Sequence, residues 1–402
     1  VPLNNVKIGE YIAALRKNKG LTQNDIAEKL QITFQAVSKW ERGEALPDVA
    51  LLPELAEILE TTVDDLLCPS SEMGKRILDD VRMGLSFTSY AAAAFGCLKA
   101  AGFWQDDMAK FMGMTGLAFR FVVRKDTCPS SPTVYNWQTE HTAMMDRIGV
   151  HSDCFQTNPQ TSPNTLALKQ KDAAARIRDS VDNGVAVVAW APSPIAEFGI
   201  INGYDDSKKI YSVRDVSGRQ DIVLPYSELG SSEIQELFYQ IFRAKVDIDE
   251  DKSSRDVLRY ALSEWNQEHY PYASYGSGRK AYQNLIRAIE ENDLYIVGLS
   301  YIISVYGYSK YCASEFLKAL AGDACYSGLD RAAEFFGQSA ANYKKMSELL
   351  PFGPNTEAYN KNRTELLAMI RDSMSAEEEA MRLIATYVSE LADKVVSPSG
   401  AG

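Results

Sequence analysis

Leu21-Thr22-Gln23, Ala27, Val37-Ser38-Lys39-Trp40-Glu41-Arg42-Gly43 and Leu66-Leu67 decide the fold of the first part of the chain. Upstream of them, Ile8, Tyr11, Ile12 and Leu15 recur at helical spacing, and Asn18 to Gly20 supplies residues that tolerate the left-handed turn ending a helix. Thr22, with Asp25 three residues on, predicts the start of a second helix whose buried face is Ile26, Ala27 and Leu30. Thr33 predicts the cap of a third. There Val37 and Trp40 face inward, leaving Phe34, Gln35, Ser38, Lys39 and Arg42 outside, where hydrogen-bond donors gather. Gly43 stops that helix, Pro47-Asp48 opens a fourth carrying Leu51, Leu52, Leu55 and Leu59, and Val63 to Leu67 forms a short fifth.

Over residues 6 to 67 this order resembles the lambda repressor/Cro-like, Xre-type helix-turn-helix family, at its Leu-Thr-Gln, Val-Ser and Trp-Glu-x-Gly positions. The resemblance implies a double-stranded DNA operator as partner. It implies that Gln23 and Thr33 set register on phosphates, while Gln35, Ser38 and Lys39, with Phe34 the open case, meet base edges in the major groove; Arg42 shares the DNA face. Phe34 departs from the usual polar residue, so its ring either touches a thymine methyl or packs inward. The segment to Leu67 holds seven Lys and Arg against eleven Asp and Glu, so one copy binds weakly and a homodimer on a palindromic site is expected.

The whole chain has 402 residues, beyond the size at which one core keeps growing, and a net charge of -12. That balance excludes a protein that coats nucleic acid non-specifically. Cys68, Cys97, Cys128, Cys154, Cys312 and Cys325 include no CxxC pair, and no histidine completes a zinc spacing; no metal or cofactor is expected, and a reduced cytoplasm fits. The longest apolar runs, such as Leu294 to Val305, are too short and interrupted to span a bilayer, so neither export nor membrane insertion is expected.

Cys68-Pro69-Ser70-Ser71 breaks the helical pattern. We read residues 1–68 as an all-α domain, 69–74 as a linker, 75–250 as an α+β domain, and 251–402 as an α-helical region completing it. The Ala-rich stretch from Ser89 to Gly102 predicts a packed central helix, with another helix after it. Phe119 to Arg124 predicts a strand, Leu166 to Val181 a helix, and Val185–Trp190, Gly199–Gly203 and Ile210–Val213 further strands. The acidic run Asp247 to Asp251 predicts a solvated loop. Trp265, Tyr270, Tyr272, Tyr275, Tyr282 and Tyr301 are either core or the lining of a pocket for a cationic or amphipathic molecule. Glu377 to Leu391 predicts a terminal amphipathic helix that closes the core or joins two copies.

From about residue 80 to 350 the order of motifs resembles the butirosin-biosynthesis acyltransferase-like group of papain-fold proteins: the helix entering at Ser89, Met112 to Phe119, Gly199 to Asp206, and Val213-Arg214-Asp215. The resemblance places the usual thiol position at Ser89 and the usual histidine position, six residues before Gly203, at Glu197, with Asp215 as a remnant of the orienting carboxylate. A serine without a histidine is a poor nucleophile. Ser89 is therefore a helix cap, a ligand-binding hydroxyl or, least of all, a nucleophile; Glu197 is a solvated strand residue or an anchor for a cation. His141, His151 and His269 are read as structural or surface residues. The expectation is a DNA-binding regulator, not an enzyme, whose papain-like domain has lost its catalytic pair and senses a small molecule through Ser89, Trp190, Glu197, Asp215, Tyr275, Tyr282 and Tyr301. The alternatives are a DNA-tethered acyltransferase or peptidase using Ser89 or Cys97, and a regulator that docks a protein partner.

Overall fold

Thr22 and Asp25 form the expected capping box: the Thr22 hydroxyl accepts from the Asp25 amide at 3.1 Å and the Asp25 carboxylate accepts from the Thr22 amide at 2.6 Å. This box starts α2 (Gln23–Lys29), which follows α1 (Asn5–Asn18) and precedes α3 (Phe34–Glu41). Thr33 does occupy the N-cap of α3, but its side chain makes no cap hydrogen bond, so α3 is held by its buried Val37 and Trp40. Gly43 ends the helix at φ +71, where an added Cβ would lie 2.7 Å from the Val6 Cα. Asp48 caps a 3-10 turn, Val49–Leu51, before α4 (Leu52–Leu59) and α5 (Val63–Leu67). Ile8, Ile12, Ile26, Val37, Leu55 and Leu66 close the core of these five helices.

This computed structural model describes residues 5–67, 74–267 and 270–396. Cys68, most of the expected linker, and His269 lie outside the described residues. The chain divides into two compact units. One is Val1–Ile77 with Gly203–Ser212 and Val223–Tyr226; the other is Leu78–Asn202, Val213–Ile222 and Ser227–Gly402. In the first unit, β1 (Lys75–Ile77) pairs antiparallel with residues 203–205.

The larger unit begins with α6 (Ser89–Ala100), α7 (Met108–Thr115), β2 (Val122–Arg124), α8 (Trp137–Arg147), β3 (Val150–Thr157) and α9 (Leu166–Asp182). Along the chain then come β4 (Val187–Trp190), β5 (Phe198–Asp205), β6 (Ile210–Arg214), β7 (Ile222–Pro225) and β8 (Leu237–Lys245), of which residues 203–205, 210–212 and 223–225 fall in the first unit. The main sheet runs β3-β8-β4-β5-β6-β7, with antiparallel pairing of β3 to β8, β8 to β4 and β4 to β5. All eight residues of β5 are buried. The chain closes with α10 (Glu250–Trp265), β9 (Tyr275–Ser277) and four helices: α11 (Gly278–Glu291), α12 (Ile296–Ala321), α13 (Leu329–Leu349) and α14 (Thr356–Val396). A helical first domain, a mixed helix and sheet region, and a helical C-terminal part follow one another as expected.

Alanines 91 to 94 in α6 are at most 2% exposed, and Gly96 lets the helix approach the Arg82 carbonyl so closely that a Cβ would sit 1.9 Å from it. Two expectations need correction. The strand expected over Phe119–Arg124 starts only at Val122, because Gly116 ends α7 in the left-handed region and Leu117–Phe119 closes a 3-10 turn. Its partner is β9, in a separate two-stranded sheet. The acidic run 247–251 is not simply a loop: Asp249 caps α10 by accepting from the Lys252 amide at 2.9 Å, and Glu250 and Asp251 sit in the first turn, where the positive helix end favours them. One apolar core joins residues from Val81 to Tyr387, so the helical third shares its interior with the mixed region.

Candidate functional site

On α3, Phe34, Gln35, Lys39 and Arg42 are exposed and Ser38 is half-buried, so the expected reading face faces outward as one surface. Phe34 is 48% exposed, so about half of its surface is open to solvent. Beneath this face Arg16 grips Glu41 through Nε at 2.5 Å and a second guanidinium nitrogen at 3.1 Å, and also donates to the Leu21 carbonyl at 2.5 Å. Burial raises the Glu41 carboxyl, but hydrogen bonds from Arg16 and Gln23 outweigh it and hold the group below its ordinary range. The Gln23 amide nitrogen donates to Glu41 at 2.7 Å, which fixes the side chain expected to meet phosphate. Arg42 donates to Ser38 at 2.5 Å and, as a fork, to Glu44 at 2.7 and 3.0 Å. A groove of ≈ 380 Å³ lined by Arg16, Leu21, Thr22, Gln23, Asn24 and Phe34 opens in front of α2 and α3.

The second candidate site lies in the larger unit, where Ser89, Glu197 and Tyr301 converge. Ser89 Oγ donates to Glu197 Oε2 at 2.5 Å and accepts from the Phe198 amide at 3.2 Å; Tyr301 donates to Glu197 Oε1 at 2.5 Å. Ser89 is not the helix cap, since Thr88 holds that position and Ser89 begins the helix. Glu197 precedes β5 and is half-buried. Burial, then the adjacent carboxylate, pushes the Tyr301 hydroxyl up, so it remains a donor. Among the described residues no Lys, Arg or His forms an ion pair with Glu197. The Ser89 proton is directed to a carboxylate, where the papain-like resemblance would place an imidazole.

Of the remaining ligand candidates Trp190 is the near neighbour, as the cross-strand partner of Phe198, and none of them makes a hydrogen bond to Ser89 or Glu197 among the described residues. Trp190 packs against Trp137 and Phe198 and donates to the Ile234 carbonyl at 3.2 Å. Asp215 accepts from the amide and hydroxyl of Ser217 in its own turn, at 2.9 and 2.5 Å. Tyr275 shares a hydrogen bond with Ser130 at 2.9 Å. Tyr282 is fully buried and donates to Glu377 at 2.6 Å, so it belongs to the core. Aromatic density in sequence does not separate core from lining. Cys97 is 0% exposed and burial pushes its thiol up, which removes it as a nucleophile. His141 stacks on Tyr90 with ring centroids 3.5 Å apart and meets the Tyr135 hydroxyl at 2.9 Å; burial pushes its pKa well down. His151 is exposed. Among the described residues no three His, Cys, Asp or Glu are grouped to hold a metal, and no helix is long and apolar enough to cross a membrane.

One lining was missed: a groove of ≈ 520 Å³ between α12 and α13, under Phe87. It forms where Gly307 and Ser314 on one helix face Gly337 and Ala341 on the other, a juxtaposition that only tertiary packing creates.

Five short helices with an outward polar third helix define a DNA-reading head. A family model described as helix-turn-helix matches residues 12–66. The chain is 38% identical over 61 residues to an uncharacterized HTH-type transcriptional regulator, YazB, of Bacillus subtilis (strain 168), covering 88% of that protein. It is 36% identical over 62 residues to the HTH-type transcriptional activator BcrR of Enterococcus faecalis, covering 30% of it, and 41% identical over 56 residues to the HTH-type transcriptional regulator DicA of Escherichia coli (strain K12), covering 42%. The chain belongs to the helix-turn-helix transcriptional regulators through this segment, which is 14–15% of its length in these three matches.

Proposed function

We propose that the chain is a sequence-specific regulator that binds a DNA operator as a homodimer and whose larger unit, a papain-like fold without its catalytic pair, responds to a small cationic or amphipathic molecule. The observation that carries the DNA reading is the outward face of α3, with Phe34, Gln35, Lys39 and Arg42 exposed above the Gln23–Glu41–Arg16 network. Such a face supplies direct base contacts from side chains and positioning from phosphate contacts. The papain-like reading draws support from the meeting of Ser89 and Glu197, the two positions where a thiol and a histidine would stand. A half-buried carboxylate bonded only to hydroxyls suits a cationic ligand nearby.

For regulation, the ligand must bind one arrangement of the reading heads more tightly than the other. The test is selection of bound duplexes from a random library with the full chain, followed by titration of the enriched operator with candidate ligands. A palindromic site whose affinity shifts with a ligand is expected. Failure to enrich any sequence would sink the DNA reading, and an operator affinity indifferent to every bound ligand would sink the sensing reading.

A further inference from the structure

The ≈ 520 Å³ groove falls in the range of sites that enclose small molecules. Its floor is shallow in side chain: a Cβ at Gly307 would lie 3.1 Å from the Tyr343 Cβ, and one at Gly337 3.2 Å from Ser314 Oγ. Its walls are aromatic. Phe87, 61% exposed, meets Tyr308 edge-on at 6.0 Å, and Tyr308 stands 6.0 Å from Tyr311, itself 50% exposed.

The three serines in this lining have a consistent character. Ser304 donates to the Ser300 carbonyl at 2.9 Å, Ser314 to Ala333 at 2.8 Å and Ser347 to Lys344 at 2.7 Å. Each hydroxyl proton is therefore committed to backbone, and what remains for a ligand is acceptor capacity. Glu315, half-buried, adds a carboxylate that has no ion pair among the described residues; Lys344 also belongs to the lining but is solvent-exposed, so water screens its charge more than that of Glu315. Aromatic faces, lone pairs and one carboxylate together favour a positively charged guest over a neutral or anionic one.

We infer that the groove between α12 and α13 binds a small lipophilic organic cation, with its apolar body against Phe87, Tyr308 and Tyr311 and its charge toward Glu315. This rests on the ligand-responsive reading above and moves the ligand away from most of the residues first expected to hold it. Tyr301, Ser304, Tyr308, Tyr311 and Glu315 recur three and four apart on α12, so they share one face. Tyr301 thus stands one turn, about 4.5 Å along the axis, beyond Ser304. A guest that tilts or shifts this face acts directly on the Tyr301–Glu197 hydrogen bond.

The test uses the full chain and two probes of the same ring system, the cation rhodamine 6G and the anion fluorescein, followed by fluorescence anisotropy. Rhodamine 6G is expected to bind and fluorescein is not. Ala340→Trp, which fills the groove, and Glu315→Gln, at a half-buried position outside the apolar core, are each expected to weaken rhodamine 6G about tenfold, the equivalent of one lost cation–aromatic or charge contact. Absence of rhodamine 6G binding, equal binding of fluorescein, or indifference to Glu315→Gln in a protein with unchanged melting would overturn the assignment. The selected operator separates the two readings. Groove binding that leaves operator affinity unchanged removes the regulatory reading alone. An operator response to other ligands in a chain that does not bind rhodamine 6G removes the groove alone.

Discussion

Glu377→Gln should unfold the helices that build the groove more readily than any surface change. Glu377 and Lys310 are each 1% exposed, and their ion pair is 2.7 Å long. The carboxylate also accepts from Tyr282 and Ser339, each at 2.6 Å, so one side chain ties α11, α12 and α13 to α14. The substitution leaves the Lys310 ammonium 4.3 Å from the Phe121 ring centre with no counter-charge. Removing one partner of such a pair costs about 3–5 kcal/mol, because the other remains desolvated. Urea unfolding followed by tryptophan fluorescence reads the loss: Trp104, Trp137, Trp190 and Trp265 report the larger unit and Trp40 the reading head. The double substitution Lys310→Met, Glu377→Met should recover most of the loss, since an apolar pair of similar volume is often neutral or better. Burial lowers Lys310 despite Glu377. Without Glu377 it falls further, so between its folded value and about 10.4 the unfolded chain binds the extra proton and stability rises with pH. The deficit of Glu377→Gln should therefore narrow from pH 7 toward pH 10. A loss below about 1 kcal/mol, or a double variant no better than the single one, would refute the reasoning.

Three further outcomes follow from the geometry. Lys39→Ala should cost about 1–3 kcal/mol and relax base preference at the position it meets in the major groove, whereas Glu44→Gln, which frees the Arg42 fork, should strengthen binding at low salt; gel-shift titrations against single-base operator variants and across salt concentrations check both. Phe34→Ala should leave melting unchanged and cost about 1 kcal/mol at one base pair, the scale of one buried methyl; replacing thymine by uracil there should mimic the loss in the parent protein and add nothing in the variant. Buried His141 is held neutral with its pKa depressed, so the unfolded chain binds the extra proton below about 6.5 and stability falls with acid; urea midpoints between pH 7.5 and 5 should fall less steeply in His141→Gln.

The reading head was legible because its signals are local: a capping box, a helix-ending glycine and apolar spacing lie within a few residues of what they determine. Likewise β4, β5 and β6 announced themselves as apolar runs between turns. By contrast β3, Val150-His151-Ser152-Asp153-Cys154-Phe155-Gln156-Thr157, mixes polar and apolar residues because it is an edge strand buried only in part. Strand β8, although largely buried, escaped because its Gln240 is polar and its turn signals are weak; that side chain is matched in the interior by Tyr90 and Ser152. Ser89 and Glu197, 108 residues apart, were singled out by the order of motifs and do meet through a hydrogen bond, while Tyr282 was misjudged because a tyrosine that serves a buried Glu377 looks like one that lines a pocket. The groove residues Gly307, Gly337, Ala340 and Ala341 carry no chemical signal of their own.

Strand β5 has a consequence for tracing descent. Gly199 cannot gain a side chain without meeting the Arg214 carbonyl at 2.8 Å, nor Gly203 without meeting that of Arg76 at 2.6 Å, and every residue between them is buried. Substitution there is closed, whereas Phe87, Tyr311 and Glu315 in the α12–α13 lining stand outside the buried core and can change with little effect on it. Distant kin should therefore share Phe198-Gly199-Ile200-Ile201-Asn202-Gly203 or near copies of it while differing in the groove. Ancestry would be written in the strand and ligand choice in the helices.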